Sequence, residues 1–92
     1  TEDEKVEIAR RHLIPKQMEA HGLKAEELSF AEDGLRAVLR YYTREAGVRT
    51  LERELAKVAR KALRQILEGK YPSVTVTEEN LQDFLGVRRY RY

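Results

Sequence analysis

Tyr42-Thr43-Arg44-Glu45-Ala46-Gly47-Val48-Arg49-Thr50-Leu51-Glu52-Arg53-Glu54 is the junction on which the fold turns. On its N-terminal side Leu35, Val38, Leu39 and Tyr42 recur at i, i+3, i+4 and i+7, which predicts a helix over 32–43. On its C-terminal side the pattern predicts the longest helix, 48–68. On a wheel of about 100° per residue, Val48, Leu51, Leu55, Val58, Ala62 and Ile66 share a stripe about 80° wide. Arg49, Arg53, Lys57, Arg60 and Arg64 share a second stripe of about 80° on the opposite side. One face is expected to be core and the other a cationic ridge. The loop between the helices ends at Gly47, a residue that tolerates unusual backbone angles.

Outward from this pair the chain reads as short elements. Thr1-Glu2-Asp3-Glu4 has capping-box spacing, and Val6, Ala9 and Leu13 follow at helical intervals with Ile8 just off that stripe. Pro15 interrupts the pattern and is expected to push Ile14 out of the α region, bending a helix over 3–21 that Gly22 terminates. Leu28-Ser29-Phe30 and Val74-Thr75-Val76 alternate apolar and polar, as minimal strands do. Thr77 is placed to cap a last short helix that turns Leu81, Phe84 and Leu85 inward and ends at Gly86. Strands separated by two helices cannot form a tight hairpin but can pair in parallel, and so small a pair must pack on the helices. The expected fold is mostly α: four helices with a two-stranded parallel β pair, in the order helix-strand-helix-helix-strand-helix. Residues 87–92, Val-Arg-Arg-Tyr-Arg-Tyr, show no periodicity and read as the start of a linker, leaving 1–86 as the domain.

Composition bounds what this fold can do. With 92 residues, 41% of them apolar, the chain supports one domain with one modest core. It has no Cys, hence no disulfide framework and no thiolate metal site. No apolar run nears the ~18 residues of a membrane span, and no charged-then-apolar leader opens the chain, so neither is expected. The net charge of +2 is uneven, −2 over 1–46 and +4 over 47–92, so the second half is the one suited to an anion.

Self-contained catalysis finds little material. The five glycines are isolated, which excludes a phosphate loop. Ser29 and Ser73 lack an evident base, and His12 and His21 lack a third ligand, reading instead as surface or partly buried helix residues. The informative triplet is Gly47-Val48-Arg49. An arginine in a first turn opposes the helix dipole, yet free N–H groups and a guanidinium at one helix start together suit a phosphate. The competing local reading pairs Arg49 with Glu45 or Glu52 and gives it no further role.

The wording of these segments resembles one family. Ile8-Ala9-Arg10-Arg11-His12-Leu13-Ile14-Pro15-Lys16-Gln17 is similar to the opening helix of the small domain of Lon ATP-dependent proteases. Tyr42 to Glu54 resembles that family's most recognisable small-domain segment, and Leu85-Gly86-Val87 with the basic and aromatic residues after it resembles the junction to the protease domain. The likeness covers essentially the whole chain. It implies the α-helical lid of an AAA+ module, part of an ATP-dependent serine protease that uses a Ser-Lys dyad. By resemblance Arg49 is the second sensor, reaching the phosphates of ATP, with Val48 and Ile8 beside the adenine. Magnesium, the phosphate loop and the first sensor belong to the large domain upstream, and the proteolytic dyad belongs downstream. No catalytic residue is therefore expected within this chain, nor tight nucleotide binding by the domain alone. Implied partners are the large and protease domains of the same chain, neighbouring subunits of a homohexamer, and unfolded protein substrates. The implied compartment is the bacterial cytoplasm, with the mitochondrial matrix as the alternative. One departure is Ala31-Glu32-Asp33-Gly34, where relatives often carry a hydroxyl cap and no glycine.

Two other readings involve DNA. Lon-type proteases are described as DNA-binding, and Arg53, Lys57, Arg60, Lys61 and Arg64 form a basic helical face suited to phosphates. The interspersed Glu52, Glu54 and Glu68 predict that such binding is weak and salt-sensitive. A freestanding helix-turn-helix made by the second and third helices would also use the 43–47 connection, but the family likeness accounts for the same residues.

Overall fold

A computed structural model describes all of residues 1–92. Its elements run α1 (Glu2–Ile8), a π-helical segment (Ala9–Leu13), α2 (Ile14–Ala20), β1 (Leu28–Phe30), α3 (Glu32–Tyr42), α4 (Arg49–Leu67), β2 (Val74–Val76) and α5 (Leu81–Leu85). Because α1, the π segment and α2 follow without a break, the architecture is four helices and a strand pair, as the periodicities predict. The strands are parallel, with Leu28, Ser29 and Phe30 opposite Val74, Thr75 and Val76. Leu28, Phe30, Val74 and Val76 point into the core, while Ser29 and Thr75 meet on the outer face.

The first helix differs from expectation at Pro15, and the reason is local. Ile14 is not expelled from the α region; it sits at φ −65°, ψ −49°. The ladder widens one turn earlier instead, where the Ile14 N–H donates to the carbonyl of Ala9, five residues back. A π turn opens the helix just ahead of the ring, which has no N–H to give and would otherwise crowd the carbonyl of residue 11. Thr1 and Glu4 form the full capping box, and Gly22 leaves the helix at φ 69°.

The core stripe of α4 lies inward as expected: Leu51, Leu55, Val58 and Ala62 are buried, and Val48 and Ile66 pack partly against them. They meet Leu35, Val38 and Tyr42 of α3, Val6, Ala9 and Leu13 of the first helix, and Leu81 and Phe84 of α5. At the start of α3, Ala31 offers no side-chain cap. Gly34 there faces the main chain of β2, and a Cβ would stand 2.4 Å from the Val76 carbonyl oxygen. Its bareness lets α3 lie directly on the strand. Before α5, Thr77 and Asn80 cap each other's main-chain N–H groups, and the Asn80 amide also donates to the Thr75 carbonyl at 2.8 Å.

Residues 87–92 carry no helix or strand, yet they lie on the domain. The main-chain N–H groups of Arg89 and Tyr90 both donate to the Tyr41 carbonyl, at 3.0 and 3.1 Å. Arg88 stacks on Tyr41, Tyr90 under Arg44 and Tyr92 under Arg40. The side chains of Arg88, Tyr90 and Tyr92 thus lie against the end of α3 and the loop after it, an arrangement that a six-residue run of Arg and Tyr does not advertise.

Candidate functional site

The start of α4 is built by two glutamates that sequence reasoning offered as partners of Arg49. Neither pairs with it. The Glu45 carboxylate turns back to accept the main-chain N–H groups of Thr50 and Leu51, at 2.5 and 3.2 Å, and so closes the helix N-terminus. The Glu45 carbonyl accepts the Lys5 ammonium at 2.5 Å, which ties α1 to the same loop. Glu52 is held by Lys16 at 2.8 Å and Gln17 at 3.1 Å, fastening α2 to the first turn of α4. Lys16 foremost holds the Glu52 carboxyl below the usual carboxylate range.

Arg49 is therefore exposed with no acid within ion-pair distance. The expectation of an open set of N–H groups beside it is corrected, because two of them are taken by Glu45. What remains for an external anion is the guanidinium and the first-turn N–H groups that Glu45 does not take. Glu45 also places a negative charge at the positive end of the helix, which offsets the cost of an arginine in that turn. Val48, the residue before α4, is half-buried against the core, and Ile8 on α1 is 37% exposed, matching its place just off the buried stripe. None of the four surface clefts is lined by Ile8, Val48 or Arg49.

The cationic ridge is only partly a ridge. Arg53, Arg60, Lys61 and Arg64 are exposed and have no acidic partner, but Lys57 turns to Glu54 at 3.0 Å. Glu54 is the residue that the helical wheel missed. It is 2% exposed and receives Arg89 on its other oxygen at 2.7 Å. A signal was present: on the wheel Glu54 lies about 40° from the edge of the apolar stripe, nearer the core than the ridge. Of the histidines, His12 is exposed and His21 is half-buried, its Nδ1 2.7 Å from the Gln17 carbonyl oxygen.

Four helices stacked on a minimal parallel strand pair make this a small helical domain, the architecture expected of an AAA+ lid. The family model described as "Lon protease AAA+ ATPase lid domain" matches residues 19–78. The chain belongs to the Lon protease family, as its lid domain. It is 56% identical over its whole length to Lon protease of Brucella abortus and 52% identical to Lon protease 1 of Bacillus subtilis. The alignments span only 11% and 12% of those relatives. A solved structure titled as the Bacillus subtilis Lon protease SSD domain superposes with a TM-score of 0.76 at 52% identity, covering 100% of this chain and 97% of that one.

Proposed function

We propose that this domain is the nucleotide-sensing lid of an ATP-dependent Ser-Lys protease, coupling ATP binding and hydrolysis to the unfolding and translocation of protein substrates. Arg49 carries the proposal: an exposed guanidinium whose acidic sequence neighbours, Glu45 and Glu52, are both committed elsewhere. An uncompensated arginine fork suits phosphate oxygens. Val48 and Ile8 are apolar surface that an adenine ring can cover. ATP, with Mg2+ held by the large domain, would supply the phosphoryl charge; this chain supplies one cation and two apolar contacts. Arg49 would favour the arrangement in which it meets the triphosphate, so hydrolysis shifts the lid relative to the large domain through that differential contact. In a homohexameric ring the shift would move an unfolded chain toward the protease chamber. On this reading 1–86 is the lid, 87–92 leads toward the protease domain, and the assembly works in a bacterial cytoplasm.

The test is Arg49→Ala in the full-length protease. Hydrolysis uncoupled from degradation of folded substrates is the expected result; unimpaired ATP-dependent proteolysis ends the proposal.

A second reading, DNA contact through α4, draws on the unpaired Arg53, Arg60, Lys61 and Arg64, with Lys57 diverted to Glu54. Four phosphate contacts give a slope of log K against log salt of roughly −3.6. Titration of labelled duplex at two salt concentrations measures it, and no binding at low ionic strength removes the reading.

A further inference from the structure

The buried carboxylate of Glu54 is a group that the nucleotide-sensing reading does not use. It lies on α4 five residues after Arg49, about 7.5 Å along the axis. Burying a carboxylate is costly, and an apolar side chain of similar volume serves a purely structural core as well or better. An acid kept there selects a partner. One partner, Lys57, belongs to the same helix; the other, Arg89, comes from the segment after α5, at 2.7 Å. The same segment is anchored to α3 at independent points. The Tyr42 hydroxyl donates to the Gly86 carbonyl at 2.6 Å, the Arg89 and Tyr90 amides share the Tyr41 carbonyl, and Arg88 stacks on Tyr41 at 3.8 Å. A flexible tether makes none of these contacts.

We propose that the Glu54–Arg89 ion pair latches the segment 86–92 onto α4, and that Glu54 and Arg89 are positioning residues through which movement of α4 reaches the chain beyond. Gly86, at φ 79°, turns the chain out of α5, and Tyr41 and Tyr42 hold its first residues against α3. Arg89 then locks its direction to the helix that carries Arg49. A displacement of α4 is thereby passed on as a pull on the exiting chain rather than absorbed in a slack linker. The functional half of this proposal rests on the nucleotide-sensing reading; the structural half does not.

Arg89→Gln tests both, because Lys57 remains on the carboxylate and the core keeps a compensating cation. The 92-residue domain matches a relative's domain solved over nearly the same span, so it is a suitable object for amide exchange by NMR. The Arg89 and Tyr90 amides should be protected in the parent and exchange at least tenfold faster in Arg89→Gln, with the α4 amides unchanged. Full-length protease carrying Arg89→Gln should hydrolyse ATP within twofold of the parent and degrade folded substrates at least fivefold more slowly, while unstructured substrates are affected less. Unprotected Arg89 and Tyr90 amides in the parent overturn the latch. Faster exchange with undiminished degradation of folded substrate overturns the transmission role. If Arg49→Ala leaves degradation intact but Arg89→Gln slows it, the sensor reading fails and the latch stands.

Discussion

Glu54 sets up a test in which two small losses should combine into a large one. Its carboxylate is 2% exposed and holds two cations, Lys57 on one oxygen and Arg89 on the other. Both cations are about two-fifths exposed, so each is solvated well enough that losing its pairing costs little on its own side. Lys57→Ala or Arg89→Ala alone leaves the acid with one charge-assisted bond, and each should cost about 1 kcal/mol, the low end for such bonds after discounting exposure. The double variant leaves a buried carboxylate with no cation, for which a loss of about 3–5 kcal/mol is expected. The excess over the sum is then about 1–3 kcal/mol. Urea unfolding of the four proteins measures it, since an m-value of about 1–3 kcal/mol/M turns that excess into a midpoint shift of roughly 1 M. Adding Glu54→Leu to the double variant should recover most of the loss, because the group that needed a partner is gone. Additivity of the two single losses within about 0.5 kcal/mol would refute the reasoning.

Three further outcomes follow from the same contacts. The Glu2 carboxyl is held below its usual value of 4.5, chiefly by its bond to Arg40 and then by Arg36, so its contribution is complete above that pH and is lost as pH falls through the lowered folded value. Acid titration of stability should therefore flatten in Glu2→Gln, and an unchanged acid limb would contradict this. The Tyr42 hydroxyl is pushed upward from 10.0 by burial, so its contribution is present below pH 10.0 and lost as pH rises above it. Tyr42→Phe should cost about 1 kcal/mol at neutral pH, a melting shift of about 4–8 °C, and should weaken the alkaline destabilisation. Glu45→Ala removes the acceptor for the Thr50 and Leu51 amides and should destabilise by about 1 kcal/mol, with faster amide exchange confined to the first turn of α4.

What the sequence discloses and what it hides divide along the range of the interactions involved. Periodicity located all four helices and both three-residue strands, because side-chain burial repeats every 3.6 or 2 residues whatever the tertiary detail. The length of the connection allowed parallel pairing, which is the pairing found. Arg49 stood out through a local conflict, a cation where a helix dipole disfavours one. The misses are contacts over tens of residues: Glu45 with Lys5, Glu52 with Lys16, and Glu54 with Arg89. Their partners are surface-type residues whose pairing depends on which elements meet in space. Pro15 was misjudged for a different reason. A proline constrains the residue before it in an ordinary helix, but a π turn relieves the crowding without leaving helical geometry.

The commitment of the acids around Arg49 bears on the sensing role proposed for it. Residues 44–53 contain Glu45 and Glu52, either of which could neutralise the guanidinium by local pairing. Had one done so, an incoming phosphate would first have to displace it, and the differential energy available to move the lid would shrink by that competition. Instead Glu45 is spent on the helix amides and Glu52 on Lys16. Those same bonds fasten the loop and the first helix to α4, so the arginine is left free on a turn that is not. A charge on a loose turn would gain the same contact but lose it to local rearrangement. On the proposed reading, a charge on a tied turn would carry α4 with it, and Glu54, about 1.4 turns further on and paired with Arg89, would pass that movement to the segment after α5.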